Sequence, residues 1–269
     1  MDIFKLLPKT NCRECGYMTC LAFAMDLAAG KTDLSACPYV SDDARQKLAE
    51  LDRPPVRLVG IGTGDNASRI GGEKGAFRHE KKFENPTGFA MLLVDTMDDA
   101  EIDSRLQRFR KLRYEWIGIV LRAELIAVKC ESKDPQRYAG LIEKVKQESD
   151  ANLILVSEDP DVMEAGLEIC GDQKPLLHAA TEDNVEKVAG LAKQYECPVT
   201  ARAPRLEQLA ALTGKLEQLG VHDIVLDTAP ISMRQAFEQQ VIIRDVVMYK
   251  HLESLGFPTV VFACELTDD

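Results

Sequence analysis

The chain is 269 residues long and carries 33 Lys and Arg against 44 Asp and Glu, which gives a formal net charge of −11. This acidic balance argues against a nucleic-acid partner, and no apolar run reaches the ~18–20 residues that a membrane span needs. Apolar residues make up 45% of the chain, which is enough for a sizeable core. The first residues do not resemble a signal peptide, so we expect a cytoplasmic protein from a reducing, anaerobic compartment.

The first predicted element is a cysteine motif with the spacing C-x2-C-x4-C-x16-C, formed by Cys12, Cys15, Cys20 and Cys37. Three of these cysteines fall within nine residues, so one short loop can present three thiolates to a single centre. Apolar residues recur at helical spacing from Leu21 to Ala28, which predicts a helix before the fourth cysteine. The four cysteines are the predicted metal- and cofactor-binding residues.

Four cysteines can hold a zinc ion or an iron–sulfur cluster. Zinc sites usually draw their ligands as two close pairs, and this motif has only one C-x2-C pair. A loop with three thiolates and a distant fourth suits a 4Fe-4S cube better, and disulfides are disfavoured in a reducing compartment. We therefore predict a 4Fe-4S cluster, with zinc and with redox or structural thiols as the alternatives.

A stiff connector, Arg53-Pro54-Pro55, follows and predicts a domain boundary, so that residues 1–53 form the cluster domain. Residues 54–87 are predicted to be a linker with a short hairpin. The first half of this linker contains glycines at positions 60, 62 and 64. A nucleotide-binding loop is disfavoured there, because neither a Gly-x-x-Gly continuation nor an apolar helix follows.

Residues 88–269 alternate apolar strands with amphipathic helices. Strands are predicted at 89–96, 124–130, 152–158, 175–181, 198–203, 223–228 and 259–263, and helices near 98–112, 134–149, 160–170, 183–195, 204–219 and 233–254. The strands are apolar throughout, as in a parallel sheet that is buried on both faces. The repeat predicts an α/β fold of the TIM-barrel-like kind with about seven strands, although periodicity alone leaves a flavodoxin-like sheet open. We expect Trp116, in the apolar stretch YEWIGIVL, to lie in the core.

Functional side chains of a parallel barrel gather at the carboxyl ends of its strands. The residues there are Asp95, Lys129, Glu158, Asp159, His178, Thr181, Arg202, Asp227 and Glu265. Their spacing defines neither a metal site nor a nucleophile–base pair, so no catalytic residue is predicted. Asp227 could bind a pterin, but we expect it to cap the following helix. The four other cysteines, Cys130, Cys170, Cys197 and Cys264, are expected to be buried as small apolar residues.

The segment KLLPKTNCRECGYMTCLAFAMDLAAGKTDLSACPYVSDDAR and the later stretch GGEKGAFRHEKKFENPTGFA resemble the large (gamma) subunit of corrinoid iron–sulfur proteins. That family serves the carbon monoxide dehydrogenase/acetyl-CoA synthase system, and the resemblance continues more loosely to the end of the chain. It implies a 4Fe-4S cluster on the four cysteines, followed by a TIM barrel. Nothing here corresponds to the family's C-terminal corrinoid-binding domain. Because a barrel needs eight strands, we expect one that is incomplete at its C-terminus, with edges covered by a partner or a further segment.

Two functions follow as hypotheses. In the first, which the resemblance implies, the cluster supplies electrons that return the cobalt of a corrinoid from Co(II) to Co(I). That corrinoid carries methyl groups from methyltetrahydrofolate to acetyl-CoA synthase, in the acetyl-CoA pathway of carbon fixation. The cobamide is then held by the absent C-terminal domain or a partner subunit, and the chain is a component of a methyl-transfer system rather than a complete enzyme. The implied partners are the small subunit, the methyltetrahydrofolate methyltransferase and carbon monoxide dehydrogenase/acetyl-CoA synthase. In the second, a ferredoxin-like electron-transfer domain is fused to an independent barrel that binds a folate or another small ligand.

Overall fold

The structure is a computed structural model that describes residues 2–28, 31–41, 43–45, 54–75 and 84–267. The chain divides into two compact units, Met1–Arg53 and Pro54–Asp269. Residues 76–83, which include the FRHE part of the stretch that carries the family resemblance, lie outside the described residues.

The described residues of the first unit include the helices α1 (Asp2–Leu6) and α2 (Cys20–Ala28) and a 3-10 turn at Leu34–Ala36, and residues 43–45 are also helical. The helix predicted over residues 21–28 is thus confirmed. Thr19 caps α2, because its Oγ1 accepts a hydrogen bond from the backbone N–H of Ala22 at 3.1 Å. The buried face of α2 joins a small apolar cluster formed by Leu7, Cys20, Phe23, Ala24, Cys37, Val40 and Ala44.

The second unit is an α/β domain. Its strands are β1 (Leu58–Ile61), β2 (Ser68–Gly71), β3 (Ala90–Val94), β4 (Arg113–Trp116), β5 (Ile119–Arg122), β6 (Leu125–Lys129), β7 (Asn152–Val156), β8 (Leu176–Ala180), β9 (Val199–Arg202) and β10 (Ile224–Asp227). Its helices are α3 (Asp99–Lys111), α4 (Pro135–Glu148), α5 (Pro160–Cys170), α6 (Val185–Tyr195), α7 (Leu206–Gln218) and α8 (Met233–Lys250). The six predicted helices are therefore confirmed to within a few residues.

Six strands form a parallel sheet in the order β3-β6-β7-β8-β9-β10. Each strand lies beside its successor, so every crossover advances by one position and in one direction. A doubly wound sheet would instead reverse its direction at a switch point. This order, with a helix after each strand, makes the domain TIM-barrel-like, as predicted.

The two faces of the sheet are buried against different elements. Ile126 and Val128 of β6 pack with the helices in the main core, whereas Leu125 and Ala127 of the same strand face the other side. On that inner side the β1–β2 hairpin supplies the cover, because Val59 and Ile61 pack there. The strands are consequently apolar on both faces, which explains their continuous apolar sequence pattern.

Helix starts are specified by side-chain caps. Asp98, Asp134, Asp159 and Ser232 each accept a hydrogen bond from a backbone N–H in the first turn of α3, α4, α5 and α8 respectively. Proline occupies the first turn of both α4 and α5, where its missing N–H costs no helical hydrogen bond. These caps fix the residue at which each of these four helices begins, after the loop that follows the preceding strand.

Two predictions about the fold of the second unit are wrong. Residues 259–263 do not form a full seventh strand: Thr259 makes a single parallel bridge with Leu226. The pairing stops there because β10 ends at Asp227, whose Oδ1 accepts a hydrogen bond from the backbone N–H of Ala229 at 2.7 Å and turns the chain away. Trp116 is not in the core either, because β4 and β5 form an antiparallel hairpin outside the main sheet.

Candidate metal centre

The cysteine motif forms one end of the first unit. Cys12 and Cys15 lie in the loop between α1 and α2, Cys20 begins α2, and Cys37 follows the 3-10 turn. The Asn11 side chain accepts a hydrogen bond from the backbone N–H of Cys20 at 2.8 Å, which ties the loop to the start of the helix. The loop and the returning Cys37 therefore belong to one compact unit, and none of the four cysteines forms a disulfide.

The backbone of this loop has an unusual conformation. Lys9, Asn11, Arg13 and Gly16 all have positive φ angles, of 57°, 50°, 69° and 82°. Left-handed residues alternating with ordinary ones are typical of nests, in which successive N–H groups point into one concavity and bind anionic groups, including Fe–S centres. The N-terminus of α2, at Cys20, adds the positive end of a helix dipole. The loop thus suits a centre whose thiolate ligands carry net negative charge.

The four cysteines differ in exposure. Cys20 and Cys37 are only 6% and 3% exposed, Cys15 is half-buried and Cys12 is exposed. Tyr39, near the exposed side, donates a hydrogen bond to Glu14 Oε1 at 2.7 Å, and this bond raises the pKa of Tyr39 above its ordinary value. A cofactor on these thiols would be covered by the apolar cluster on one side and accessible on the side of Cys12.

The spread of the thiols bears on which cofactor fits. Among the described residues, which include all four motif cysteines, no three Cys, His, Asp or Glu side chains are gathered closely enough for one metal ion. A zinc ion draws each sulfur to about 2.3 Å, so its ligands must crowd together. A 4Fe-4S cube takes one thiolate at each iron and holds them farther apart. The two groups thus require different spacings of the four sulfur atoms.

The strand-end residues at the carboxyl edge of the sheet form closed polar networks. His178 Nε2 lies 2.8 Å from Asp227 Oδ2, and both side chains are almost fully buried. Arg202 bridges Asp227 and Glu158 at 3.4 and 2.7 Å. These side chains therefore find their partners within the protein. The cap prediction for Asp227 is wrong, since Ser232 caps α8 and Asp227 binds the intervening loop and His178.

A second network lies at the ends of β3 and β6. Lys129 pairs with Glu265 at 2.6 Å and with Glu131 at 3.1 Å. Burial lowers the pKa of Lys129, but the hydrogen bonds that Lys129 donates to these two carboxylates outweigh it and leave the pKa raised. For Asp95, burial alone would raise the pKa. Hydrogen bonds from Ser132 and from the backbone of Glu131 outweigh burial, so the pKa of Asp95 is lowered.

The remaining strand-end residues and cysteines have local roles. Asp159 caps α5, and the backbone N–H of Thr181 donates to Asn184. Cys170 and Cys197 are buried, as expected, and burial raises the pKa of each thiol to about 12. Cys130 is half-buried and donates to Asp95, and Cys264 is exposed, so the expectation of burial is wrong for Cys264.

The fold and the cysteine loop define a TIM-barrel-like α/β protein with a small four-cysteine unit at its start. A family profile described as CO dehydrogenase/acetyl-CoA synthase delta subunit matches residues 58–265, and one described in terms of an Fe-S cluster matches residues 7–39. The chain belongs to the CO dehydrogenase/acetyl-CoA synthase delta subunit family.

Individual relatives agree with this assignment. The chain is 37% identical over 260 residues to the corrinoid/iron-sulfur protein large subunit of Moorella thermoacetica, an alignment that covers 97% of the chain and 58% of that protein. It is 37% identical over 274 residues to the acetyl-CoA decarbonylase/synthase complex subunit gamma of Archaeoglobus fulgidus, with the same coverage, and 38% identical over 228 residues to that of Methanothermobacter thermautotrophicus, covering 84% of the chain and 50% of that protein. The predicted resemblance is confirmed, and the chain spans between 50% and 58% of the length of these relatives.

No helix in the part of the chain that the structure describes is both long and apolar enough to cross a membrane.

Proposed function

We propose that this chain is the cluster-bearing part of a corrinoid iron–sulfur protein large subunit, with a 4Fe-4S cluster held by Cys12, Cys15, Cys20 and Cys37. The observation that carries the proposal is the cysteine loop between α1 and α2, in which several residues have left-handed backbone conformations. The matching Fe-S family profile and the names of the relatives support it.

When bound, such a cluster supplies one-electron transfer, with a potential set by its charge, its hydrogen bonds and its solvent exposure. The residues of this chain provide those controls. The backbone N–H groups of the loop stabilise negative charge on the thiolates, and Leu7, Phe23 and Val40 exclude water from the buried side. Cys12 leaves one side accessible, where an electron can leave or enter.

The electron acceptor that the relatives' names suggest is a corrinoid cobalt held outside these residues, by a further domain or by the small subunit. A reduced cluster on the four cysteines would supply the one electron that returns such a cobalt from Co(II) to Co(I), the state that accepts a methyl group. On this proposal the methyl group comes from methyltetrahydrofolate through a methyltransferase and passes to acetyl-CoA synthase. The small subunit, the methyltransferase and carbon monoxide dehydrogenase/acetyl-CoA synthase are then the partners, in the cytoplasm of an anaerobic cell.

The barrel unit acts in this proposal as a docking scaffold rather than as a catalyst. At the carboxyl edge of the sheet, His178, Arg202 and Lys129 each pair with carboxylates of this same chain. A folate or another small ligand would have to displace these pairs, so the alternative of an independent ligand-binding barrel has less support.

The test is an anaerobic electron-transfer measurement with cobalamin in the Co(II) state as the acceptor. The reduced wild-type chain should produce Co(I), detected by its absorbance. The Cys12→Ser variant should not, whereas Cys264→Ser, which changes an exposed cysteine outside the motif, should match the wild type. Equal rates from the wild type and Cys12→Ser would overturn the proposal.

A further inference from the structure

The β4–β5 hairpin is an unusual feature of the barrel unit, because it joins the end of α3 to β6 without entering the main sheet. Its antiparallel register pairs Tyr114 with Leu121 and Glu115 with Val120. Directly paired residues lie on the same face of a hairpin, and successive residues alternate between faces. Tyr114, Trp116 and Leu121 therefore share one face, while Arg113, Glu115 and Arg122 belong to the other.

The apolar face is open to solvent. Tyr114, Trp116 and Leu121 are 59%, 57% and 55% exposed, and Ile117 at the tip is 85% exposed. The rings of Tyr114 and Trp116 stack against each other with their centroids 6.1 Å apart. Tyrosine and tryptophan contribute most of the binding energy at many protein interfaces, and an isolated two-stranded hairpin with a bare apolar face is marginally stable in water. This face thus has the composition of an interface.

The tip of the hairpin retains an apolar residue at a conformational cost. Ile117 and Gly118, the two residues of the turn, have φ angles of 50° and 75°, which is the pattern of a type I′ turn. Asparagine and glycine favour such positions, whereas a β-branched residue is strained there. An isoleucine at an 85% exposed turn does not serve the fold of the hairpin, so a role in contact is the better explanation.

The base of the hairpin is held in place. Arg122 donates to Asn66 Oδ1 at 2.5 Å and lies 3.6 Å from carboxylate oxygens of both Glu124 and Asp150. These contacts join the hairpin to the β1–β2 hairpin and to the segment before β7. An anchored base presents the apolar face in a fixed direction, which reduces the ordering cost of binding.

The charges at the base of the hairpin are mostly positive, and on the hairpin face opposite the aromatic rings Glu115 is the acidic exception. Arg108, Lys111 and Arg113 are exposed, and within the described part of the chain none of them makes an ion pair. This basic group lies in a chain whose formal net charge is −11. A symmetric dimer through the hairpin would bring two copies of the same cations together, because a two-fold interface uses the same patch on both partners. Charge therefore favours a different protein with acidic residues at the contact.

We propose that the β4–β5 hairpin is a docking element for a partner subunit whose surface presents an apolar groove rimmed by carboxylates. This inference rests on the proposed function insofar as it takes the partner to be the small subunit of the corrinoid iron–sulfur protein. Tyr114, Trp116 and Ile117 enter the groove, and Arg108, Lys111 and Arg113 face the acidic rim. The apolar contacts determine the lifetime of the complex, and the cations increase the rate of association.

The test measures binding of the full chain to the purified small subunit from the same organism, by calorimetry at low and high salt. Trp116→Ser and Tyr114→Ser should each weaken binding by about tenfold or more. The matched control, Phe237→Ser, changes a 70% exposed aromatic residue of α8 and should leave the affinity within about threefold. Reversing the charges of Arg108, Lys111 and Arg113 should weaken binding most at low salt.

Ile117→Asn separates contact from folding, because asparagine suits the turn and removes the apolar tip. It should bind more weakly while its melting temperature stays equal to or above that of the wild type. Wild-type affinity in the Trp116 and Tyr114 variants would overturn the inference alone, as would a loss of binding confined to Phe237→Ser. A wild-type dimer that Trp116→Ser dissociates would identify a second copy as the occupant and also overturn it. If the wild type does not bind the small subunit at all, the partner assignment in the proposed function fails as well, whereas the cobalamin measurement still tests the electron-transfer part.

Discussion

In the first unit, two of the motif cysteines belong to the small buried apolar cluster. In the second unit, the core is formed by the sheet and its helices, and cysteines are a minor part of it. Cys20 and Cys37 pack beside Leu7, Phe23 and Val40, which with two alanines make up the buried cluster of the unit's described residues. The second unit buries both faces of its sheet. Below about 70–80 residues a single hydrophobic core supplies little stability, and small natural proteins often add disulfides, a structural metal or a partner. On the proposed function, the comparison predicts that the cofactor is part of the fold in the first unit and unnecessary for the fold of the second.

The largest expected effect is on the first unit when its cluster ligands are removed. Cys20→Ala should abolish the cluster and expose the amides of residues 2–41 to hydrogen exchange, because the remaining apolar cluster is too small to hold the unit together. Hydrogen-exchange mass spectrometry measures both units in one experiment, and residues 84–267 should keep their protection. Cys264→Ala is the matched control and should leave both units protected. A first unit that stays protected without metal would contradict the comparison.

The converse change tests the second unit. Leu155 is fully buried on β7, and Leu155→Ala should lower the free energy of unfolding by about 2–5 kcal/mol, because it leaves a cavity in the core. Urea denaturation followed by far-UV circular dichroism provides the measurement. Leu112→Ala, at a 52% exposed position, should change it by no more than about 0.5 kcal/mol. Loss of iron from the Leu155→Ala protein while it remains folded would show that the two units depend on each other.

A smaller effect is expected at the Asp95 network, and it depends on pH. The folded-state pKa of Asp95 is lowered, so its carboxylate stabilises the fold above the unfolded-state pKa of about 3.9, and the contribution is lost as pH falls through the folded-state value. Asp95→Asn should cost about 1–3 kcal/mol at pH 7, because hydrogen bonds to a charged group are weakened. The difference from wild type should shrink below about pH 4.

The measurement is urea denaturation of both proteins at neutral and acidic pH, with Asp183→Asn, at an exposed position, as the control. A cost for Asp95→Asn that is the same at both pH values would exclude the ionised carboxylate as its source.

The sequence predicted the barrel elements well because each buried strand and each amphipathic helix has a local pattern. It also predicted a four-cysteine motif, since residue type and spacing are visible without a structure. The pairings His178–Asp227 and Lys129–Glu265 could not be predicted, because they depend on the register of strands distant in the chain. The strand predicted at 259–263 is wrong for a similar reason: its own residues favour a strand, but β10 ends at the turn after Asp227 and offers no further partner.

The β4–β5 hairpin was missed because its signals conflict. The stretch from Tyr114 to Leu121 is mostly apolar, which favours the core, and its turn contains Ile117-Gly118 instead of the usual Asn-Gly or Asp-Gly. A pattern in which charged and aromatic residues alternate from Arg113 to Trp116 was the available clue. Exposure of such a face runs against the pattern of a core strand, and conflicts of this kind occur most often at functional surfaces.

The most direct test of the central claim is the metal content of the chain purified without oxygen, measured for iron, acid-labile sulfide, zinc and cobalt together. The wild type and Cys264→Ser should contain about four irons and four sulfides per chain and no cobalt, and Cys12→Ser should lose this complement. Cys12 is exposed, so its replacement does not disturb the apolar cluster and the result reports on ligation alone. Stoichiometric zinc in the wild type, or a full iron complement in Cys12→Ser, would contradict the account.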